Sequence, residues 1–380
     1  MSAIHSLTMP KWGLSMKEGK VVGWLVDEGA AVSAGEEILE IETEKILSAL
    51  ESPVSGIIRK KVANVGDVVA VSGILGVVAD ASVPQEEIET FITDLQVRAE
   101  TVQALVDSGE PAPEFIDIEG RSIRYLKLGE GSPAAILLHG FGGDMNSWLF
   151  NQPELSETRT VYALDLPGHG GSSKSVGAGS LSDLATVLKR FMEALDLPTA
   201  HLVGHSLGGG VVLQFAVAYP EHCSSLILIA STGLGPEIDS GYLDGFVTAS
   251  RRKDLKPHIE KLFADSKLVG RQLVEDILKY KRLDGVETAL RTIAGQLCQA
   301  GQQAVIFRDQ LTDLAIPVLS IWGAADQIIP LTHSEGLPKD VVTHVISDSG
   351  HMVHMEAATK VNQLIQDFWR QIDVRTSSVA

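Results

Sequence analysis

"HLVGHSLGGGVVLQFAVAYP", residues 201–220, decides the reading of the larger part of the fold. A short apolar run, a serine hemmed by glycines and an unbroken apolar stretch read as strand end, sharp turn and helix. Gly204-His205-Ser206-Leu207-Gly208 fits G-x-S-x-G in the setting that the motif requires. The flanking glycines are expected because so tight a turn leaves no room for Cβ atoms beside the serine. A glycine-rich loop with an incidental serine is the plain alternative, and the flanking strand and helix weigh against it.

Outward from this stretch, "AAILLHG", "TVYALDLPG", "SLILIAS", "IPVLSIWG" and "VVTHVIS" read as further buried strands separated by amphipathic helical stretches. That alternation predicts an α/β fold with a mostly parallel sheet. A serine hydroxyl is a weak nucleophile until a base takes its proton. The base is expected late in the chain, with its orienting carboxylate between. His351 in "SDSGHMVHME" follows the last strand and is the candidate base, with His354 as its rival. Asp326 in "GAADQIIP" follows the strand before it and is preferred over Asp313 and Asp348.

Residues 114–372 resemble the α/β-hydrolase family on "HGFGGD", "DLPGHGGS", "GHSLGG", "GAADQIIP" and "GHMVHME". The resemblance implies a hydrolase-type domain over 114–375 with a helical cap over about 233–310 that shapes specificity. It also implies an oxyanion hole from the Phe141 and Leu207 amides. His139, His169 and His205 are expected to be structural.

The first eighty residues have another character. Segment 4–79 alternates short Val/Ile-rich runs with Gly, Pro and Asn, the pattern of a small all-β domain. "GWLVDEGAAVSAGEEILEI" from Gly23 is weakly repeated in "GIIRKKVANVGDVVAVSGILGVV" from Gly56, which predicts two paired sheets. Between the repeats, "IETEKILSAL" presents Lys45 at a hairpin tip. Read alone, Lys45 is a solvated surface residue. The opening "MPKWGLSMKEGK", the "ETEK" turn and "SPVSGII" resemble the lipoyl domain of 2-oxo acid and acetoin dehydrogenase complexes. That resemblance implies lipoate in amide linkage on Lys45 and a lipoyl-binding domain over 1–80. A biotin carrier has a similar fold, but its lysine typically sits between methionines, and Glu44 and Ile46 flank this one. Residues 81–113 read as a linker holding a helix near 86–106. The glycine-rich, arginine-bearing pattern of a peripheral-subunit-binding domain is not found there.

The formal net charge of −18 argues against sequence-independent nucleic-acid binding, which relies on Lys and Arg. Cys223 and Cys298 lie far apart, without metal-ligand or scaffold spacing, and fit a reducing compartment. The N-terminus lacks a signal-peptide pattern and no apolar stretch is long enough to span a bilayer, so the expected location is cytoplasmic.

Together the domains resemble the dihydrolipoamide acetyltransferase components of acetoin dehydrogenase complexes. This implies an acyltransferase that moves acetyl from the lipoyl arm to coenzyme A inside a multienzyme complex. Its implied partners are a thiamine-diphosphate-dependent dehydrogenase component and a dihydrolipoamide dehydrogenase. Two readings remain beside it: a thioesterase or carbon–carbon bond hydrolase with an appended carrier, and a carrier on a vestigial scaffold. No basic pocket stands out as a coenzyme A site.

Overall fold

The computed structural model describes residues 4–10, 18–43, 47–71, 73–89, 91–92 and 111–377. The chain divides into two compact units, residues 1–110 and 111–380.

The described residues of the first unit form eight strands: β1 (Ile4–Thr8), β2 (Glu18–Trp24), β3 (Ala31–Val32), β4 (Glu37–Glu42), β5 (Leu47–Glu51), β6 (Gly56–Lys61), β7 (Val68–Ala70) and β8 (Ile74–Ala79). They form two antiparallel sheets, ordered β1-β8-β6-β3 and β5-β4-β2-β7. Exchanging the two sequence repeats turns one order into the other, strand for strand. Leu7, Val21, Ile38, Leu39, Ile41, Ile58 and Leu75 fill the core between them. The turns that join the strands use φ near +90° at Gly29 and Gly35, a region side chains avoid. β4 and β5 pair antiparallel, with Glu42 opposite Leu47. Lys45, with Glu44 and Ile46, lies outside the described residues. So does most of the helix expected near 86–106, of which 85–89 and 91–92 are helical.

In the second unit, β9 (Glu114–Ile118), β10 (Arg121–Leu128), β11 (Ala134–Leu138), β12 (Val161–Leu164), β13 (Ala200–His205) and β14 (Cys223–Ile229) share one sheet with two later strands. A short ribbon, β15 (Cys298–Gln299) with β16 (Gln302–Gln303), stands apart, and β17 (Val318–Gly323) and β18 (Val341–Ile346) complete the sheet. The order is β18-β17-β14-β13-β11-β12-β10-β9. β10 runs antiparallel to β9 and β12, and the remaining neighbours are parallel.

Parallel strands need crossovers, and these put helices on both faces. β11 and β13 are accordingly buried throughout. On one face the helix Ala358–Ser377 buries Val361, Ile365 and Trp369 beside Trp148. On the other lie the helices Leu181–Ala194 and Leu207–Ala218, the latter buried nearly all round. Between β14 and β17 the chain adds four helices, Ser240–Thr248, Arg252–Glu260, Arg271–Lys281 and Val286–Leu297. Their apolar residues join the core on the same face as the helix Leu207–Ala218.

Candidate active site

β13 ends at His205, and Ser206 stands between it and the helix Leu207–Ala218 with φ 52° and ψ −115°. A side-chain-bearing residue holds such a backbone only when its surroundings enforce it. Here they do. The Ser206 amide donates to the Ile229 carbonyl at 3.0 Å, and its own carbonyl accepts from Thr232 N and Thr232 Oγ1 at 3.1 Å each. The neighbouring glycines are required by space: a Cβ on Gly204 would lie 2.3 Å from the Gly208 carbonyl oxygen. One on Gly208 would lie 2.2 Å from the Leu138 carbonyl oxygen.

Two loops beyond the parallel strands carry the other candidates. His351 Nδ1 lies 2.8 Å from Asp326 Oδ2. A carboxylate only accepts, so the proton sits on Nδ1 and Nε2 is left as the base. Asp326 is fixed in turn, because its Oδ1 accepts from the Ile328 and Ile329 amides at 2.8 and 3.0 Å. His205 joins this pair to the nucleophile turn: its Nε2–H donates to the His351 carbonyl at 2.9 Å, and the two rings pack at 4.8 Å. Among the described residues no hydrogen bond joins Ser206 Oγ to His351. Such bonds are often long before substrate binds. Asp313 and Asp348 are exposed, and neither bonds to His351.

His354, the rival base, is fully buried with its ring between those of Trp148 and His205, at 4.6 and 4.4 Å. Burial, with His351 close by, pushes its pKa down to about 3. His139 donates from Nδ1 to the Gly140 carbonyl and accepts the Leu166 amide at Nε2, which fixes its neutral form. His169 packs edge-on against it at 4.9 Å, and burial lowers the pKa of both.

The loop after β11 lies over the serine: a Cβ on Gly140 would be 3.1 Å from the Ser206 Cβ. Among the described residues neither the Phe141 amide nor the Leu207 amide donates to a protein acceptor. Both are therefore available to a developing oxyanion. The Phe141 ring meets Phe246 of the helix Ser240–Thr248 at 5.7 Å, and Tyr242 Oη donates to the Phe141 carbonyl at 3.4 Å. An apolar lid thus rests on the loop that bears this donor.

Two residues absent from the sequence reading support these parts. The Glu356 carboxylate accepts from Gly350 N at 2.7 Å and Ala264 N at 2.8 Å, tying the His351 loop to the segment after the helix Arg252–Glu260. Burial raises its pKa. Lys281 Nζ donates to the carbonyls of Phe246, Val247 and Ala249 at the end of the lid helix. Burial brings its pKa down to about 8. Glu356 sits inside the quoted "GHMVHME", yet its partner Ala264 is 92 residues away. No local pattern could show that contact.

Comparison with known proteins places these units. A family model described as alpha/beta hydrolase fold matches residues 133–358, and one described as biotin-requiring enzyme matches residues 5–78. The dihydrolipoyllysine-residue acetyltransferase component of the acetoin cleaving system of Cupriavidus necator is 44% identical over 367 residues, 96% of each chain. The component of the same name from Pseudomonas putida is 44% identical over 372 residues, 98% of this chain and 100% of that one. Among solved structures, a meta-cleavage product hydrolase from Pseudomonas fluorescens matches with a TM-score of 0.62 and 22% identity, over 68% of this chain and 97% of that one. That last likeness shows the fold alone. No helix among the described residues is long and apolar enough to cross a membrane.

Proposed function

Since the chain belongs to the dihydrolipoyllysine-residue acetyltransferase components of acetoin cleaving systems, we infer that it passes acetyl from a dihydrolipoyl thioester to coenzyme A through Ser206, His351 and Asp326. The observation that supports the reading most is the pairing of a lipoyl-type unit with a strained serine turn beside a His351–Asp326 pair 2.8 Å apart.

Lys45, which falls between β4 and β5 in the sequence, is the residue that would hold the lipoyl group. When bound, that group supplies a dithiol that carries the acyl unit as a thioester. The chain's own residues do the rest. His351 Nε2 takes the Ser206 proton as Oγ bonds to the thioester carbonyl carbon. The Phe141 and Leu207 amides stabilise the oxyanion. The carbon–sulfur bond then breaks, and His351 returns the proton to the departing thiol. Acetyl is left on Ser206. In the second half His351 takes the coenzyme A thiol proton as sulfur attacks the same carbon, and it restores that proton to Ser206 Oγ.

Exchange of one thioester for another is nearly isoenergetic, so the choice of coenzyme A over water must be kinetic. The apolar lid of Tyr242 and Phe246 on the Phe141 loop fits that need, since closing a site to water suppresses hydrolysis. The product dithiol then needs reoxidation. A flavin-dependent dihydrolipoamide dehydrogenase and a thiamine-diphosphate-dependent loading component are the partners of such a cycle, and a multienzyme complex is the setting of the relatives. Two free cysteines, Cys223 buried with its thiol pKa pushed up by burial, fit the cytoplasm.

The test is to incubate the protein with S-acetyl-dihydrolipoamide alone and map the acetyl group by peptide mass spectrometry. Acetyl on Ser206 that disappears on adding coenzyme A is expected. Acetyl-coenzyme A formed without any acetyl-Ser206, even on rapid quenching, would count against a serine relay.

A further inference from the structure

Coenzyme A is a polyanion, with a diphosphate and a ribose 3′-phosphate, and the chain that must accept it carries a formal net charge of −18. An average patch of this surface repels it. One cleft on the helices between β14 and β17 has the opposite character. It is lined by Arg252, Lys253 and Lys256 from the helix Arg252–Glu260 and by Arg271 and Val274 from the helix Arg271–Lys281. We propose that this cleft holds the phosphates of coenzyme A, an inference that rests on coenzyme A being the acetyl acceptor.

Three features carry it. The cations come from the first two turns of two helices, whose N-terminal amides add unsatisfied donors of the same polarity. Neither N-terminus is closed by a side chain, whereas Asp239 caps the lid helix Ser240–Thr248. The neighbouring acids do not cancel the charge. Lys256 meets Glu260 at 3.3 Å and Arg271 meets Glu275 at 2.7 Å, both across exposed helical turns where such pairs are weak. Arg251 pairs with Asp254, while Arg252 and Lys253 have no ion-pair partner among the described residues.

The reach also fits. The helix that bears Arg252 runs towards Leu262, whose carbonyl accepts the Met352 amide at 3.0 Å, next to His351. The nine residues of that helix at 1.5 Å rise span roughly 13 Å, and Leu262 follows two residues after its end. The pantetheine arm is about as long as four extended residues, roughly 14 Å. Phosphates in the cleft would leave the thiol near His351. Three of the cations lie together in "RRKDLK", residues 251–256, and Arg271, 15 residues beyond Lys256, joins them only through the packing of the two helices.

The test is calorimetric titration of the full chain with coenzyme A, 3′,5′-ADP, pantetheine and inorganic phosphate. Coenzyme A and 3′,5′-ADP are expected to bind, and pantetheine and phosphate to bind at least tenfold more weakly. Arg252→Ala with Lys253→Ala, both exposed, should weaken coenzyme A binding about tenfold or more. Arg252→Lys with Lys253→Arg should largely retain it. Unchanged affinity in the alanine pair would overturn the site, as would inorganic phosphate binding as tightly as coenzyme A, the mark of a general anion patch. Acetyl transfer measured on the same samples separates the two claims. Binding through the cleft without acetyl-coenzyme A formation keeps the site and sinks the transfer reading. Transfer at an unchanged coenzyme A KM in the alanine pair keeps transfer and sinks the site.

Discussion

In the first unit β4 and β5 pair with Glu42 opposite Leu47, and Leu47 is 60% exposed. In the second, Ser206 and His351 are 6% and 2% exposed, and a strained turn, a carboxylate and packed glycines fix them in place. A carrier needs its reactive group to reach several partners, so it places the attachment residue at a turn between strands. A catalyst needs its donors and base preorganised, so it buries them and spends local strain to do so. The small core of one unit and the large two-sided core of the other follow from that division.

The sharpest way to break the comparison is Lys45→Arg. Lipoylation is expected to vanish and acetyl-coenzyme A formation by the reconstituted complex to fall to background, while free S-acetyl-dihydrolipoamide is still used at close to the wild-type rate. Loss of activity on the free donor would show that the carrier unit also builds the active site.

Next comes the orienting carboxylate. Asp326→Asn should lower kcat for acetyl transfer about 10³- to 10⁴-fold, because an amide can stabilise the wrong imidazole tautomer. A loss of tenfold or less would point to another carboxylate. Thermal unfolding should be little changed by comparison.

Acidification should separate the units. His139, His169, His201, His205 and His354 are buried with lowered pKa values, about 3 for His201 and His354, while His5 is the one histidine in residues 1–110. The unfolded chain therefore binds protons that the folded second unit refuses. Stability is full above about pH 6.5 and falls as pH drops towards 3. By pH 4.5 the loss is about 2 to 3 kcal/mol for His201 and for His354. Calorimetry between pH 7 and 4.5 should show the second unit's transition falling well ahead of the first's. Parallel shifts would contradict the assignment.

Glu356→Gln carries the smallest expected effect. It keeps one acceptor oxygen for the Gly350 and Ala264 amides but turns a donor towards the other, at about 1 to 2 kcal/mol. The reading is a roughly tenfold fall in kcat with KM for the donor nearly unchanged. An equal change in Tm with kcat intact would make Glu356 structural only.

What the sequence revealed follows the same division. "GHSLGG" was legible because a tight turn writes its demands into adjacent residues, and five buried strands stood out as apolar runs. "VVTHVIS", read as a sixth buried strand, forms the edge strand β18, whose middle residues are exposed because nothing pairs beyond it in the sheet. The β9–β10 hairpin, absent from that reading, did not stand out: its burial alternates, and Phe115 is exposed. His351 and His354 are three residues apart, and the first was favoured by its place just after the last strand, with His354 expected in the helix that follows. The structure adds a packing reason, the Trp148 and His205 rings that enclose His354. The Phe246 contact with Phe141 and the Glu356 tie join residues distant in sequence, where periodicity and motif have nothing to say.

The most direct test of the central claim supplies lipoylated protein with S-acetyl-dihydrolipoamide and coenzyme A, and follows acetyl-coenzyme A and free acetate together for wild type and Ser206→Ala. The account predicts acetyl-coenzyme A as the main product, lost with Ser206. Acetate as the only product, or acetyl-coenzyme A undiminished in Ser206→Ala, would contradict it.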